Sequence, residues 1–162
     1  MLYFAAMRWL FLAVLIAAAP TLLQAQRTLT GRAVKIIDGD TFDLLVGTTT
    51  YRIRLQGIDC PERGQPYSRR ATEALGNWCR MGPLTVRYGS KDRNGRILGD
   101  VYTANGTWIN LKLVEEGWAW HFTKYSSDGR LRRAEAAARS ARRGLWQQGN
   151  AVAPWDWRRG KR

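Results

Sequence analysis

The order in which strand-like and helical periodicities follow one another is the feature that most constrains how this chain can fold. Five segments alternate apolar and polar residues as half-buried strands do: 29–37, 41–46, 51–58, 84–88 and 96–102. Three segments repeat apolar residues at helical spacing: 65–79, 109–116 and 128–143. Turn signals separate these segments, as at Gly47, at the polar run 90–95 and at Asn105-Gly106. The order is therefore three strands, a helix, two strands and two further helices.

This order predicts an α+β fold that is mainly β: a five-stranded OB-fold barrel with about three packed helices. The chain has 162 residues, which is enough for one domain with a core and hardly enough for two. We therefore expect a single domain over 26–162 that ends in a basic C-terminal tail. Such barrels often bind oligonucleotides, but a fold by itself settles no function.

Residues 1–25 are interpreted as a signal peptide and are set aside from the fold. The segment 9–19 is an unbroken apolar stretch with an arginine directly before it. We expect cleavage near Ala25 and export to a periplasm or to the medium. Met7 would give a better charged beginning than the first residue, so the true start could lie there. The alternative is an uncleaved membrane anchor, although the apolar run of about 15 residues is short for a span of about 20.

The charge balance points to a polyanionic partner. Lysine and arginine total 26 against 13 acidic residues, which gives a formal net charge of +13. Nucleic acid, an anionic membrane and an acidic polysaccharide would all be favoured by this charge. A plainer interpretation, a soluble basic protein that is exported, also remains open at this point.

Two short segments hold residues suited to phosphodiester chemistry: Ile-Asp-Gly-Asp-Thr at 37–41 and Arg-Leu-Gln-Gly-Ile-Asp-Cys-Pro-Glu at 54–62. Hydrolysis of a phosphodiester requires charge stabilisation at phosphorus, a positioned water and assistance to the leaving oxygen. A hard divalent ion can polarise the phosphate, and carboxylates at strand ends can hold that ion. A further carboxylate can orient or deprotonate water, and arginines can hold phosphate oxygens in bidentate hydrogen bonds.

Other metal sites and nucleophiles fit the sequence poorly. An EF-hand loop counted from Asp38 would have Phe42 at position five and Thr49 at position twelve, so required ligands are missing. His121 is the only histidine, which argues against a histidine-rich zinc site and a histidine-based nuclease site. Cys60 has no evident base near it and is a poor candidate nucleophile.

Three motifs, taken in order, resemble those of the staphylococcal nuclease (thermonuclease) family. They are Asp38-Gly-Asp-Thr, then Arg54 five residues before Asp59-Cys-Pro-Glu, then Asp92-Arg-Asn-Gly-Arg96. Each motif is modest, but their order and spacing together are specific, and the resemblance covers residues 28–157. It implies an OB-fold core, a calcium requirement, and cleavage of single- and double-stranded DNA and RNA to products that end in 3′-phosphate.

The resemblance also implies a set of Ca²⁺ ligands. Asp40 and Asp59 match the carboxylate ligands, and Cys60 matches a residue that ligates through its main-chain carbonyl. Family members often carry threonine at that last position, so a hydroxyl contact would be lost here. Such a site should bind calcium weakly, with a Kd of roughly 10⁻⁴ to 10⁻³ M, which suits an extracellular protein.

The remaining matched positions imply roles in catalysis and substrate binding. Glu62 matches the glutamate near the attacking water, as a general base or as a residue that orients the water. Arg54 and Arg96 match the two arginines that bind phosphate and stabilise the pentavalent transition state. Trp120 and Phe122 lie where the family tends to have aromatic rings against the base, although a core role would suit either residue equally.

The sequence does not decide whether the two cysteines form a disulfide. Cys60 and Cys79 could form a disulfide in an exported protein, closing a loop of roughly 20 residues, for about 3 kcal/mol of stability. Two free thiols are the alternative.

We therefore expect an exported, calcium-dependent endonuclease that acts on DNA and RNA with little sequence preference. We also expect a monomer without a stable protein partner and without membrane association after signal cleavage. The alternatives are a non-catalytic OB-fold module that binds nucleic acid and a membrane-tethered basic protein that binds anionic polymers. Degenerate modules lose the acids or the arginines, whereas this chain has all of them.

Overall fold

The computed structural model describes residues 26–161, so the predicted signal peptide and the start at Met7 lie outside the described residues. The strands in this range are β1 Arg27–Ile36, β2 Thr41–Val46, β3 Thr49–Leu55, β4 Ile58–Asp59, β5 Leu84–Lys91, β6 Ile97–Thr103 and β7 Trp120–His121. The α-helices are α1 Ser68–Cys79, α2 Ile109–Glu115, α3 Gly129–Ser140 and α4 Pro154–Trp157, with a 3₁₀ turn at Gly144–Gln147. None of the described helices is long and apolar enough to cross a membrane.

Five strands close into a barrel in the order β1-β2-β3-β6-β5. All neighbours are antiparallel except β3 and β6, which run parallel with Ile53 opposite Ile97. Strand β1 reaches both of its neighbours because its first half pairs with β5 and its second half with β2. A register shift between Ala33 and Lys35 bends the strand as it turns around the barrel. The predicted α+β fold with an OB-like five-stranded barrel is confirmed.

Apolar side chains at alternate positions of β2, β3, β5 and β6 fill the barrel. The most deeply buried of them are Phe42, Leu44, Ile53, Leu55, Leu84, Val86, Ile97 and Val101. Helices α1 and α2 cover the barrel with Leu75, Ile109 and Leu113, which are equally buried. Burial of one such side chain is worth about 1.5–3 kcal/mol, so this cluster supplies most of the hydrophobic stabilisation.

A second, smaller cluster fixes the C-terminal segment to the domain. Its buried members are Trp120, Ala138, Leu145, Trp146 and Ala153, with Trp155 packed against them. Gly117 and Gly144 let the two main chains approach, because the N–H of Leu145 donates to the carbonyl of Gly117 at 2.9 Å. A Cβ atom at either glycine would lie 2.3 Å from a main-chain oxygen of the facing segment. The segment after α3 is therefore packed on the domain.

Candidate active site

The two predicted motifs of the site meet at one end of the barrel. Asp40 lies directly before β2, and its carbonyl accepts a hydrogen bond at 2.8 Å from the N–H of Leu55, the last residue of β3. Gly57, with a φ of 74°, then turns the chain sharply. This turn carries Asp59 into the short strand β4, which pairs with β7 instead of continuing the barrel. Residues 20 positions apart are thereby brought side by side.

The carboxylate of Asp40 is buried and held by hydrogen bonds from its surroundings. Its Oδ2 atom accepts a hydrogen bond from the main-chain N–H of Cys60 at 2.8 Å, and its Oδ1 atom accepts one from the Thr41 hydroxyl at 3.1 Å. Burial raises the pKa of Asp40 to about 7, while the positive charge of Arg54 opposes this shift. The ionised carboxylate therefore depends on nearby positive charge.

Arg54 joins the two predicted metal-binding aspartates into one ion-pair cluster. Its Nη1 atom lies 2.5 Å from Oδ2 of Asp40, and its Nη2 atom lies 2.8 Å from Oδ1 of Asp59. The Nη1 atom also donates to the carbonyl of Ile58 at 3.3 Å. Asp59 is only 1% exposed, so both of its oxygens need partners within the protein. The structure thus brings together three of the residues that the sequence predicted to act together.

Gly39 allows the loop that carries Asp40 to pack closely. A Cβ atom on Gly39 would lie 2.8 Å from the Cβ atoms of both Cys60 and Ala71, far inside normal contact distance. The Cys60 thiol donates to the Gly39 carbonyl at 3.2 Å. The glycine of the Asp-Gly-Asp motif is therefore required by packing between this loop, the Cys60 loop and α1.

Cys60 and Cys79 are both buried free thiols, so of the two alternatives the structure has the unbridged one. Burial raises the pKa of the Cys60 thiol, and the negative charge of Asp40 raises it further. Burial also raises the pKa of Cys79, to about 12. Both thiols are therefore protonated at neutral pH.

Glu62 lies on a turn that Gln65 connects to the C-terminal segment. The N–H of Glu62 donates to Oε1 of Gln65 at 2.9 Å, and the N–H of Gln65 donates to the carbonyl of Glu62 at 2.8 Å. The Nε2 atom of Gln65 then donates to the carbonyl of Val152 at 2.7 Å. Because Gln65 is buried, the position of Glu62 depends on how the C-terminal segment is packed.

Arg158 belongs to this cluster, although no sequence pattern predicted it. This residue directly follows α4, and its Nη2 atom lies 2.8 Å from Oδ2 of Asp59. Its Nη1 atom lies 3.4 Å from Oδ1 of Asp59 and also pairs with Oε1 of Glu62. Arg158, in the predicted basic C-terminal tail, therefore joins two of the predicted site residues.

Arg96 lies outside this ion-pair cluster in the described structure. Its Nε atom pairs with Oδ2 of Asp92 at 2.7 Å, across the turn that joins β5 to β6. Ile97 and its partner Ile53 both face the core, so the preceding Arg96 and the following Arg54 lie on the outer face of the barrel. Arg96 and Arg54 therefore share a face, and binding of phosphate by Arg96 stays a prediction.

Of the two roles that the sequence allows for Trp120, base contact and core packing, the structure shows core packing. The Trp120 side chain is 8% exposed because the rings of Trp146 and Trp155 cover it at centroid distances of 4.4 and 5.6 Å. Trp120 is therefore a core residue. Phe122 is partly exposed, but Trp155 stacks on one of its faces at 5.1 Å and nearly parallel planes. Stacking of a base on the other face of the Phe122 ring stays a prediction.

The donors present fit a hard divalent cation that keeps much of its water. Among residues 26–161, no group of three or more His, Cys, Asp or Glu side chains is placed to hold a metal ion. Asp40 and Asp59 nevertheless approach the same guanidinium and offer carboxylate oxygens, which Ca²⁺ prefers. Around them, the carboxylates of Asp40, Asp59 and Glu62 pair with the guanidinium groups of Arg54 and Arg158, and the Asp38 carboxylate accepts a hydrogen bond from the N–H of Asp40. This surplus of negative charge favours a cation.

Two surface depressions of about 360 and 310 Å³ border α1, and neither is lined by residues of the ion-pair cluster. One lies between α1 and Trp118, and the other lies between α1 and β1. The candidate site is therefore separate from both depressions.

Comparison with known proteins gives a consistent set of relatives. The family model described as staphylococcal nuclease homologue matches residues 52–148. An uncharacterized endonuclease of Escherichia coli is 40% identical over 131 residues, which are 81% of this chain and 86% of that protein. A micrococcal nuclease of Shigella flexneri is 40% identical over 139 residues, or 80% of each chain. A probable staphylococcal-like nuclease of Oryza sativa subsp. japonica is 42% identical over 112 residues, which are 69% of this chain and 34% of that protein.

Proposed function

Because the chain belongs to the staphylococcal nuclease family, we propose that it is an exported, calcium-dependent endonuclease that cleaves DNA and RNA to 3′-phosphate ends. Family membership makes the chain a nuclease. The proposal adds the metal, both substrates, low sequence preference, export and action as a monomer. The observation that supports it most directly is the convergence of Asp40, Arg54, Asp59 and Glu62 at one end of the barrel.

Asp40, Asp59 and the carbonyl of Cys60 would hold the calcium ion. When bound there, Ca²⁺ supplies positive charge that polarises the phosphate. Asp40 is already oriented by hydrogen bonds from Thr41 and Cys60, so little rearrangement of its carboxylate is needed. In the free enzyme Arg54 lies beside both aspartates and offsets their mutual repulsion. It would bind a phosphate oxygen once the aspartates ligate the cation.

Glu62 would act on the attacking water. Its side chain is 38% exposed, so water reaches it, while Gln65 fixes its main chain. The water oxygen attacks phosphorus, and the bond from phosphorus to the 5′ oxygen breaks. This leaves a 3′-phosphate on one product and, once the departing oxygen has taken up a proton from solvent water, a 5′-hydroxyl on the other. Glu62 either accepts the proton of the water or orients the water for attack.

Arg96 would bind the phosphate from the same outer face of the barrel as Arg54. Its guanidinium must first exchange the carboxylate of Asp92 for a phosphate oxygen. Before phosphate binds, the Asp92 carboxylate holds the Arg96 guanidinium. Asp92 also accepts hydrogen bonds from the N–H groups of Asn94 and Arg96. A preorganised turn of this kind positions a long side chain at low entropic cost.

A digestion assay tests the proposal. The mature chain, residues 26–162, is incubated with plasmid DNA and with RNA in millimolar calcium, and again with excess chelator. We expect degradation of both substrates in calcium, none with chelator, and 3′-phosphate on the products. Undegraded substrate in calcium would contradict the enzyme assignment. Signal cleavage is tested on the full chain in its host: an N-terminus at Gln26 supports it, and retention of residues 1–25 contradicts it.

A further inference from the structure

The contact between Arg158 and the carboxylates of the site is the strongest feature that the proposed function leaves unexplained. Arg158 lies 99 residues from Asp59 in the chain, yet its guanidinium approaches both oxygens of that carboxylate. The same guanidinium pairs with Glu62. Asp59 is almost fully buried, so this pair differs from an ordinary surface ion pair, which contributes little to stability.

The segment that carries Arg158 is anchored at several points, so the contact is not that of a loose tail. Trp155 stacks on Phe122 and packs edge-on against Trp120. The carbonyl of Val152 accepts a hydrogen bond from Gln65, which also orients Glu62. The same packing that holds the Glu62 turn therefore delivers Arg158 to the site.

The neighbouring Arg159 shows that proximity to this segment does not by itself bring an arginine to the site. Arg159 pairs with Asp156 within its own helical turn, and its side chain is 69% exposed. Arg158 is 41% exposed, so its guanidinium can change partners while the stem stays in place. The two consecutive arginines form a natural pair for comparison.

We propose that Arg158 is a third phosphate-binding arginine of the active site, supplied by the C-terminal segment. It pairs with Asp59 and Glu62 in the free enzyme and transfers to a phosphate oxygen of bound nucleic acid once Asp59 ligates the cation. This inference rests on the proposed nuclease function.

Charge and geometry both support this exchange of partners. A carboxylate that ligates a divalent cation can no longer offer the same lone pairs to a guanidinium, and the two positive charges repel each other. A phosphate next to the cation offers the guanidinium two oxygens with the geometry it matches best. The Arg158 side chain is 41% exposed, so a bound ligand can reach it.

Equilibrium binding measurements on R158Q and R159Q test the proposal. Two ligands are titrated calorimetrically: Ca²⁺ alone, and a nucleoside 3′,5′-bisphosphate in saturating calcium. The bisphosphate carries two phosphates on one nucleoside but has no bond to cleave. We expect R158Q to bind the bisphosphate at least tenfold more weakly, and to bind Ca²⁺ as tightly as the wild type or more tightly. R159Q should match the wild type within about twofold for both ligands.

The direction of the two effects separates this proposal from a purely structural role. If Arg158 only positioned Asp59 and Glu62, R158Q would weaken Ca²⁺ and bisphosphate together, and that result would overturn the proposal. Unchanged bisphosphate affinity in R158Q would also overturn it. If R158Q does not fold by circular dichroism, R158K replaces it. Because lysine carries a single ammonium, R158K should bind the bisphosphate more weakly than the wild type does. Equal affinity would overturn the proposal.

Two different experiments test the proposed function and this inference, so either can be refuted without the other. Digestion of DNA and RNA by the wild-type protein tests the enzyme assignment. The contrast between R158Q and R159Q in binding tests the role of Arg158. A wild type that digests both substrates, together with R158Q that binds like R159Q, would remove the inference and leave the nuclease assignment intact.

Discussion

Replacement of Gly39 by alanine should destabilise the protein and displace the loop that carries Asp40. The added Cβ would lie 2.8 Å from the Cβ atoms of Cys60 and Ala71, and 3.1 Å from the sulfur of Cys60. Because carbon atoms in contact are normally about 3.5–4.0 Å apart, the loops must separate by roughly 0.7–1 Å. Overpacking of this kind costs about 1–3 kcal/mol. For a domain of this size, Tm should fall by roughly 3–10 °C.

The displacement should also reach the candidate metal site. The N–H of Cys60 donates to Oδ2 of Asp40 at 2.8 Å, and the clash at Gly39 pushes these two loops apart. We therefore expect Gly39→Ala to weaken Ca²⁺ binding by about tenfold, in addition to its effect on Tm. A hydrogen bond to a charged group is worth about 1.5–3 kcal/mol, so partial loss of this bond accounts for that change.

Differential scanning calorimetry and calcium titration on Gly39→Ala and Gly149→Ala test this reasoning. A Cβ at Gly149 would meet no atom within 4 Å, so that variant should keep the Tm and the calcium affinity of the wild type. Further substitution of Cys60 by glycine in the Gly39→Ala background removes two of the three clashing atoms, leaving only the Cβ of Ala71, and should restore part of the lost Tm. The packing argument would be refuted if Gly39→Ala melted at the same temperature as the wild type.

Two other predictions concern catalysis and helix stability. Glu62→Gln and Arg96→Ala should each lower kcat by about 10²–10⁴-fold, as expected for loss of a group that acts on water or on phosphate, while circular dichroism stays unchanged. Near-normal rates in both variants would mean that the site is misassigned. Asp128 caps α3 through the N–H of Arg130 at 2.7 Å, so Asp128→Ala should cost about 0.5–2 kcal/mol in urea unfolding at pH 6. The hydrogen bond from the Arg130 side chain lowers the pKa of Asp128 to about 2. The difference in unfolding free energy between the wild type and Asp128→Ala should therefore be complete above pH 4 and should shrink as pH falls toward 2.

Much of the barrel could be predicted because its strands alternate cleanly between core and solvent. Phe42, Leu44, Ile53 and Leu55 recur at a period of two and are all buried as that period requires. The predicted strand 51–58 was too long. Gly57 takes a positive φ, and the chain after it leaves the barrel to form β4. A turn of this kind depends on which partner strand is available, and the partner β7 lies some 60 residues further along the chain.

The aromatic residues show a different limit of sequence reasoning. Trp120 and Phe122 follow a turn in a family-like position, which is compatible with stacking on a base or with packing in a core. Only the placement of Trp146 and Trp155 decides between these roles, and both lie in segments distant in the chain. Arg158 was not predicted as a site residue for the same reason, since its two carboxylate partners lie almost a hundred residues before it in the chain.

The packing of the segment after α3 has a consequence for the order of events during synthesis. Asp59 and Glu62 leave the ribosome early, but Arg158 follows only after the barrel and α3 have been made. Contacts over such a separation form late because loop closure must come first. An unfinished chain that lacks Arg158 therefore lacks the guanidinium that joins Asp59 to Glu62. The contacts of Arg158 with Asp59 and Glu62 can form only after nearly the whole domain has been translated. The ion-pair cluster is therefore completed late in synthesis.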